Sequence, residues 1–266
     1  MKTMLLVFAH PDDESLATGG TIAKYVRAGW KAHLVSATLG EAGSTGPYGE
    51  ITPERLSDIR RKELEEAQKL LGISSLTFLG YRDGELKDQN PGELEDKIYK
   101  KMVEYAPAIV ITFDPTGITN HPDHVKMMLS TTYAFQKYAY AISHPTLGRR
   151  SPMNRSGLAK RRFEETVSVT HEPKLYYVCM PESVAEYLKK ERIVPEISFG
   201  KPWRGTPDKF VTTLIDTKRH NAIKMKAIQA HRSQKEDIDR ILSPKAVRVL
   251  LHKEYFILRM QGEHEV

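Results

Sequence analysis

A chain of 266 residues with 40% hydrophobic and 28% charged side chains can bury a sizeable core, which excludes disordered and fibrous classes. Cys179 is the only cysteine, so an intrachain disulfide and a four-cysteine zinc site are excluded, and any metal must be held by histidine and carboxylate. The net charge of +6 favours acidic partners such as sugar phosphates, nucleotides or nucleic acid, and serves plain solubility equally well.

Met4–Ala9 has the length of a buried strand and is too short for a signal-peptide core or a membrane span, so a cytoplasmic protein with no membrane association is expected. Leu16–Ala28 carries a helical pattern ending near Gly29, and Ala32–Ala37 follows as a second strand. Strand, helix and strand in that order predict a parallel sheet with right-handed crossovers. The Gly-, Ser-, Thr- and Pro-rich stretch from Gly40 to Gly49 predicts a mobile loop. Thr52-Pro53 opens a helix running to Leu71, with Gly72 as its stop. Leu76–Leu79 is a short strand, Glu93–Tyr105 a helix, Ile109–Phe113 a third apolar strand, and a helix runs from Pro122 to about Lys137. The pattern then weakens. His144–Arg162 is a basic loop or lid, with no acidic residue between Arg149 and Arg162. Strands are expected at Lys174–Cys179, Phe210–Ile215 and Glu254–Arg259, and a helix at Thr217–His231. The expected class is α/β: a Rossmann-like, doubly wound, mostly parallel sheet with helices on both faces and a less regular C-terminal part. One domain over 1–266 is expected, with a core at 1–140, the basic loop or lid at about 144–165, and C-terminal strands and helices at 170–266.

Two motifs carry chemistry. Ala9-His10-Pro11-Asp12-Asp13-Glu14 lies directly after the first strand, and His121-Pro122-Asp123-His124 lies a few residues after the strand Ile109–Phe113. In an open parallel sheet ligands bind beyond the carboxyl ends of the strands, so both motifs reach one edge. A catalytic zinc takes three ligands from His and Asp or Glu and keeps a position for water, whose pKa it lowers to about 7. A nearby carboxylate can then act as base, and a further imidazole can stabilise the oxyanion or protonate the amine. These parts suit a hydrolase for an unactivated amide. Asp123 and Glu14 also fit a duller role as acids in the first turns of their helices.

The two motifs together resemble the PIG-L/LmbE family of zinc-dependent N-acetyl-sugar deacetylases, over roughly the first 135 residues. The resemblance implies His10, Asp13 and His124 as ligands of zinc, with Fe2+ or another divalent ion as an alternative. It implies Asp12 as general base and His121 as acid or electrostatic stabiliser. Arg60-Arg61-Lys62-Glu63-Leu64 resembles the family helix whose arginine reaches the sugar, implying Arg60 as a substrate contact; an exposed i,i+3 pair with Glu63 is the plain alternative. Tyr81-Arg82-Asp83-Gly84 resembles a loop whose aspartate, here Asp83, hydrogen-bonds sugar hydroxyls; a simple turn is its alternative. Ile118, Thr119 and Asn120 stand where some relatives carry a tyrosine. His231 in Ala230-His231-Arg232-Ser233-Gln234 either approaches the site or caps its helix end.

The expected function is removal of an acetyl group from an N-acetylglucosamine-type sugar or glycoside, with zinc-bound water as nucleophile. Alternatives are an amidase for a larger amide such as a thiol conjugate and a nucleotide- or nucleic-acid-binding module. The last lacks both a Gly-x-Gly-x-x-Gly after the first strand and a P-loop, so nucleic acid is not an expected partner. The resemblance also implies a small-molecule substrate, which the basic balance suggests is anionic, and assembly into trimers or hexamers.

Overall fold

The apolar runs become the strands of one sheet. The computed structural model describes residues 1–144 and 171–266, so the basic stretch Arg149–Arg162 lies outside the described residues. Strands β1 (Thr3–Phe8), β2 (Lys31–Ser36), β3 (Ser75–Phe78), β4 (Ile109–Phe113) and β5 (Lys174–Cys179) pair in parallel in the order β3-β2-β1-β4-β5. Met4 to Phe8 are wholly buried, as are Val35, Val110 and Phe113, because strands covered on both faces read as continuous apolar runs rather than alternations. Each such side chain contributes about 1.5–3 kcal/mol on burial.

The helices are α1 (Asp13–Arg27), α2 (Pro53–Leu71), α3 (Glu93–Tyr105), the single turn α4 (Gly117–Asn120) and α5 (Pro122–Ser143). Capping sets the ends of α2: Thr52 Oγ1 accepts the Arg55 amide at 3.3 Å, Pro53 opens the helix, and Gly72 closes it at φ 72°. The helix α1 starts three residues before Leu16, inside the first motif, and α5 continues past Lys137 to Ser143. Among the described residues, no helix is long and apolar enough to cross a membrane.

The C-terminal part contains α6 (Glu182–Lys190), the hairpin β6 (Ile197–Ser198) and β7 (Lys201–Pro202), β8 (Thr213–Asp216), α7 (Asn221–Ala230), α8 (Lys235–Ile241), α9 (Pro244–Leu250), β9 (Lys253–Gln261) and β10 (His264–Glu265). Strand β9 runs antiparallel to β5, β8 and β10 and so extends the parallel sheet. The strand expected at Phe210–Ile215 begins only at Thr213, because Asp208–Phe210 winds into a 3-10 turn. Likewise Lys218–His220 forms a 3-10 turn before α7. Helices α1, α2 and α7 pack with one another, while α3 packs with α5. One buried ion pair ties α1, α7 and β9 together. Glu254 accepts the Gly20 amide at 2.9 Å, the Thr21 amide at 2.7 Å and Lys224 Nζ at 2.7 Å.

Strand β1 lies between β2 and β4, which are reached in opposite directions, so the carboxyl ends of β1 and β4 form the switch point where such sheets bind ligands. Both motifs stand there. At Gly20 helix α1 has no room for a side chain, since a Cβ would lie 2.5 Å from Thr217 Cβ. Gly20→Ala is therefore expected to destabilise the fold by about 1–3 kcal/mol in urea unfolding; unchanged stability would show that Thr217 yields.

Candidate metal centre

The turn after β1 is built by its own carboxylates. The His10 amide donates to Asp13 Oδ2 at 2.8 Å and the Asp12 amide to Glu14 Oε2 at 3.1 Å. The Asp12 carbonyl accepts the Ser15 and Leu16 amides at 3.0 Å each, which starts α1. Asp12 itself sits at φ 108°, ψ −26°, a left-handed conformation that costs a non-glycine residue about 1–3 kcal/mol and persists only where surrounding contacts enforce it. The second motif follows a similar turn. Asp114 Oδ1 accepts the Thr116 amide at 3.1 Å and the Ile118 amide at 2.8 Å, and Ile118 and Asn120 have φ of 61° and 62°. His121 caps α5, its Nδ1 accepting the Asp123 amide at 3.2 Å, and Pro122 fills the first helical position.

These two turns bring His10, Asp13 and His124 together. His10 Nδ1 lies 3.0 Å from His124 Nε2, His124 Nε2 lies 3.3 Å from Asp13 Oδ1, and His10 Nδ1 lies 3.7 Å from Asp13 Oδ2. Ligand atoms held about 2.0–2.2 Å from a tetrahedral ion lie roughly 3.3–3.6 Å apart; the His124–Asp13 distance falls in that range, while His10 and His124 approach different oxygens of Asp13. The second bonds of the imidazoles agree. His124 Nδ1 donates to the Gly117 carbonyl at 3.0 Å, leaving Nε2 bare. His10 Nε2 donates to Asp83 Oδ1 at 3.0 Å and faces Asp123 Oδ2 at 3.4 Å, which leaves His10 Nδ1 to face the bare nitrogen of His124. Two such nitrogens at 3.0 Å need a proton or a cation between them. Among the described residues, the groups whose ligand atoms all converge closely enough to hold one ion are His10, His121 and His124, and His10, Asp83 and Asp123.

The electrostatics follow. Burial opposes charge on His10, but its hydrogen bonds to Asp123 and Asp83 and the nearby Asp13 outweigh it and lift the pKa to about 10. Burial and the charges of His124 and His10 push His121 down to about 3, and burial with the charge of His10 does the same to His124. Burial pushes Asp12 up to about 7 against the opposing charge of Arg60, which suits a base working near neutrality.

The expected substrate contacts, Arg60 and Asp83, line the same cavity of about 820 Å³, and both carry bonds inside the protein. Arg60, 3% exposed, donates through Nη1 to the Gly40 carbonyl at 2.8 Å and through Nη2 to the Pro11 carbonyl at 2.5 Å and Asp12 Oδ2 at 3.2 Å. Asp83 Oδ2 accepts the Ala42 amide at 3.1 Å. Arg60 and Glu63 are not an exposed pair: Glu63 is buried and accepts the Ser233 amide at 2.9 Å and its hydroxyl at 2.6 Å. Asp123 does more than stand in a first turn, since its buried Oδ2 accepts the Gly84 amide at 2.8 Å while facing His10. Its place between two histidines was the available signal. His231 is buried and reaches the first motif through Glu14, with Nε2 2.9 Å from Glu14 Oε1.

A family model described as PIG-L: GlcNAc-PI de-N-acetylase matches residues 5–135. The chain is 31% identical to 1D-myo-inositol 2-acetamido-2-deoxy-alpha-D-glucopyranoside deacetylase of Saccharomonospora viridis, covering 87% of this chain and 84% of that one. It is 45% identical over 124 residues, 46% of this chain and 54% of the other, to the probable N-acetyl-alpha-D-glucosaminyl L-malate deacetylase 2 of Bacillus anthracis. Among solved structures, N,N'-diacetylchitobiose deacetylase from Pyrococcus horikoshii superposes with a TM-score of 0.65 at 22% identity, covering 98% of this chain and 84% of that chain, and so shares the fold.

Carboxylates that orient a metal-binding histidine are commonly worth about 10–100-fold in metal affinity. Asp123→Asn is accordingly expected to weaken divalent-metal binding by about that factor in competition with a chelator. Unaltered affinity would show that Asp83 alone orients His10.

Proposed function

Since this chain belongs to the PIG-L de-N-acetylase family, we propose that it is a metal-dependent hydrolase removing the acetyl group from an N-acetylglucosamine-type sugar, with His10, Asp13 and His124 as the metal ligands. The observation that carries this reading is the convergence of those three side chains, with His10 Nδ1 3.0 Å from His124 Nε2 and the two imidazoles 3.7 and 3.3 Å from the two oxygens of Asp13. Zinc suits two imidazoles and one carboxylate, and Fe2+ suits them too. The relatives named for inositol and malate glycosides support a glycoside as substrate. The cavity of about 820 Å³ leaves space for an aglycone beyond the acetamido group. The same volume keeps a larger amide, such as a thiol conjugate, as the second reading.

A divalent ion bound there would polarise the acetyl carbonyl and acidify water. The chain's own groups supply the rest. Asp12 accepts the proton of the attacking water, and Arg60 on Asp12 Oδ2 at 3.2 Å holds that carboxylate in the cavity. His121 accepts the Asp123 amide on Nδ1, so its neutral ring carries the proton on Nε2 and can donate to the developing oxyanion. The carbon–nitrogen bond then breaks, the sugar nitrogen takes up the proton held by Asp12, and acetate and the free amine depart. Arg60 and Asp83, with internal bonds of their own, present fixed groups to the sugar from the cavity wall.

Asp12→Asn is expected to retain the metal while acetate release from methyl N-acetylglucosaminide falls by about 10²–10⁴-fold. Metal content and released acetate measured on the same preparations check this; full activity would remove Asp12 as the base.

A further inference from the structure

The conformation of Asp12 is fixed by the peptide that precedes it. The Pro11 carbonyl accepts Arg60 Nη2 at 2.5 Å, and the amide at the other end of that peptide, Asp12 N–H, donates to Glu14 Oε2 at 3.1 Å. Rotating Asp12 out of its left-handed φ of 108° would swing this peptide and break both bonds. Glu14 is 1% exposed, and its other oxygen is held too: Glu14 Oε1 accepts Ser15 Oγ at 2.5 Å and lies 2.9 Å from His231 Nε2. His231 follows α7 and is 217 residues away in the chain. An acid that merely complemented the dipole of α1 would face solvent and need none of these partners.

We propose that Glu14 and His231 are positioning residues: His231 fixes the Glu14 carboxylate, and Glu14 holds the Asp12 peptide so that the Asp12 carboxylate stays aimed into the cavity. The C-terminal part of the chain thereby acts on the reaction through a histidine that touches neither metal nor substrate. This assignment rests on Asp12 being the base. Misplacing a catalytic group by about 1 Å costs on the order of 100-fold in rate, whereas none of the proposed metal ligands or sugar contacts hydrogen-bonds the Glu14 carboxylate.

The test compares zinc-loaded wild type, His231→Leu, His231→Gln and Ser15→Ala, with kcat, KM and zinc per chain measured on methyl N-acetylglucosaminide. His231→Leu is expected to lower kcat by roughly 10–100-fold with KM and zinc content unchanged. His231→Gln, which keeps an N–H for Glu14, is expected to restore most of kcat. Ser15→Ala removes the other donor by a smaller change and is expected to lower kcat by less, again at constant KM and zinc; it decides the matter if His231→Leu does not fold. Unchanged kcat in His231→Leu, or in Ser15→Ala where that variant decides, overturns the proposal. So does a parallel loss of zinc and activity in the leucine and glutamine variants alike, which marks a structural clamp. A wild type that releases no acetate instead overturns the functional reading, and it is seen before any variant is compared.

Discussion

The site depends on how His10 is held. One ring nitrogen gives its proton to Asp83 and faces Asp123, and the other faces the bare nitrogen of His124 at 3.0 Å beside Asp13. With Asp12 nearby, four carboxylates share one cavity. The Arg60 guanidinium on Asp12 and the imidazole of His10 beside Asp13, Asp83 and Asp123 offset part of that negative charge. Against the effect of burial, the carboxylates of Asp123, Asp83 and Asp13 lift the pKa of His10 to about 10. The same gathering of negative charge favours a divalent ion at the proposed site.

The fold supplies this arrangement through chain order. Strands β1 and β4 are neighbours in the sheet though far apart in sequence, and the turn after each carries one histidine motif. Strand β3 delivers Asp83 to the same edge, and α2 inserts Arg60 beneath the first turn. Positive φ at Asp12, Ile118 and Asn120 marks both turns as places where the backbone is bent to aim side chains rather than to relax. Arg60 neutralises part of the carboxylate charge and grips the Pro11 and Gly40 carbonyls, so its burial is compensated by bonds.

Much of this was legible in the sequence because it is local. Apolar runs gave β1, β2 and β4, cap residues gave the ends of α2, and the placement of each motif just after a strand gave the site's edge. What was not legible is what distance in the chain conceals. Asp123 reads as a first-turn acid until its partner His10, 113 residues away, is seen. Glu14 reads the same way until His231 is seen, and an exposed pair stays open as the alternative for Glu63 until Ser233 is seen. The elements α6, α8 and α9 and the β6–β7 hairpin went unread, the hairpin because strands of two residues carry no periodicity. Expected ends shifted where 3-10 turns at Asp208–Phe210 and Lys218–His220 replaced the first residues of a strand and a helix.

The ligand set is the centre of the account, because three histidines also converge within reach of one ion. A crystal structure of the zinc-loaded protein, with anomalous data at the zinc edge, tests it directly. The account predicts one peak about 2.0–2.2 Å from His10 Nδ1, an Asp13 oxygen and His124 Nε2, with His121 outside bonding distance. A peak bonded to His10, His121 and His124 with Asp13 turned away, or no peak in this cavity, would contradict it.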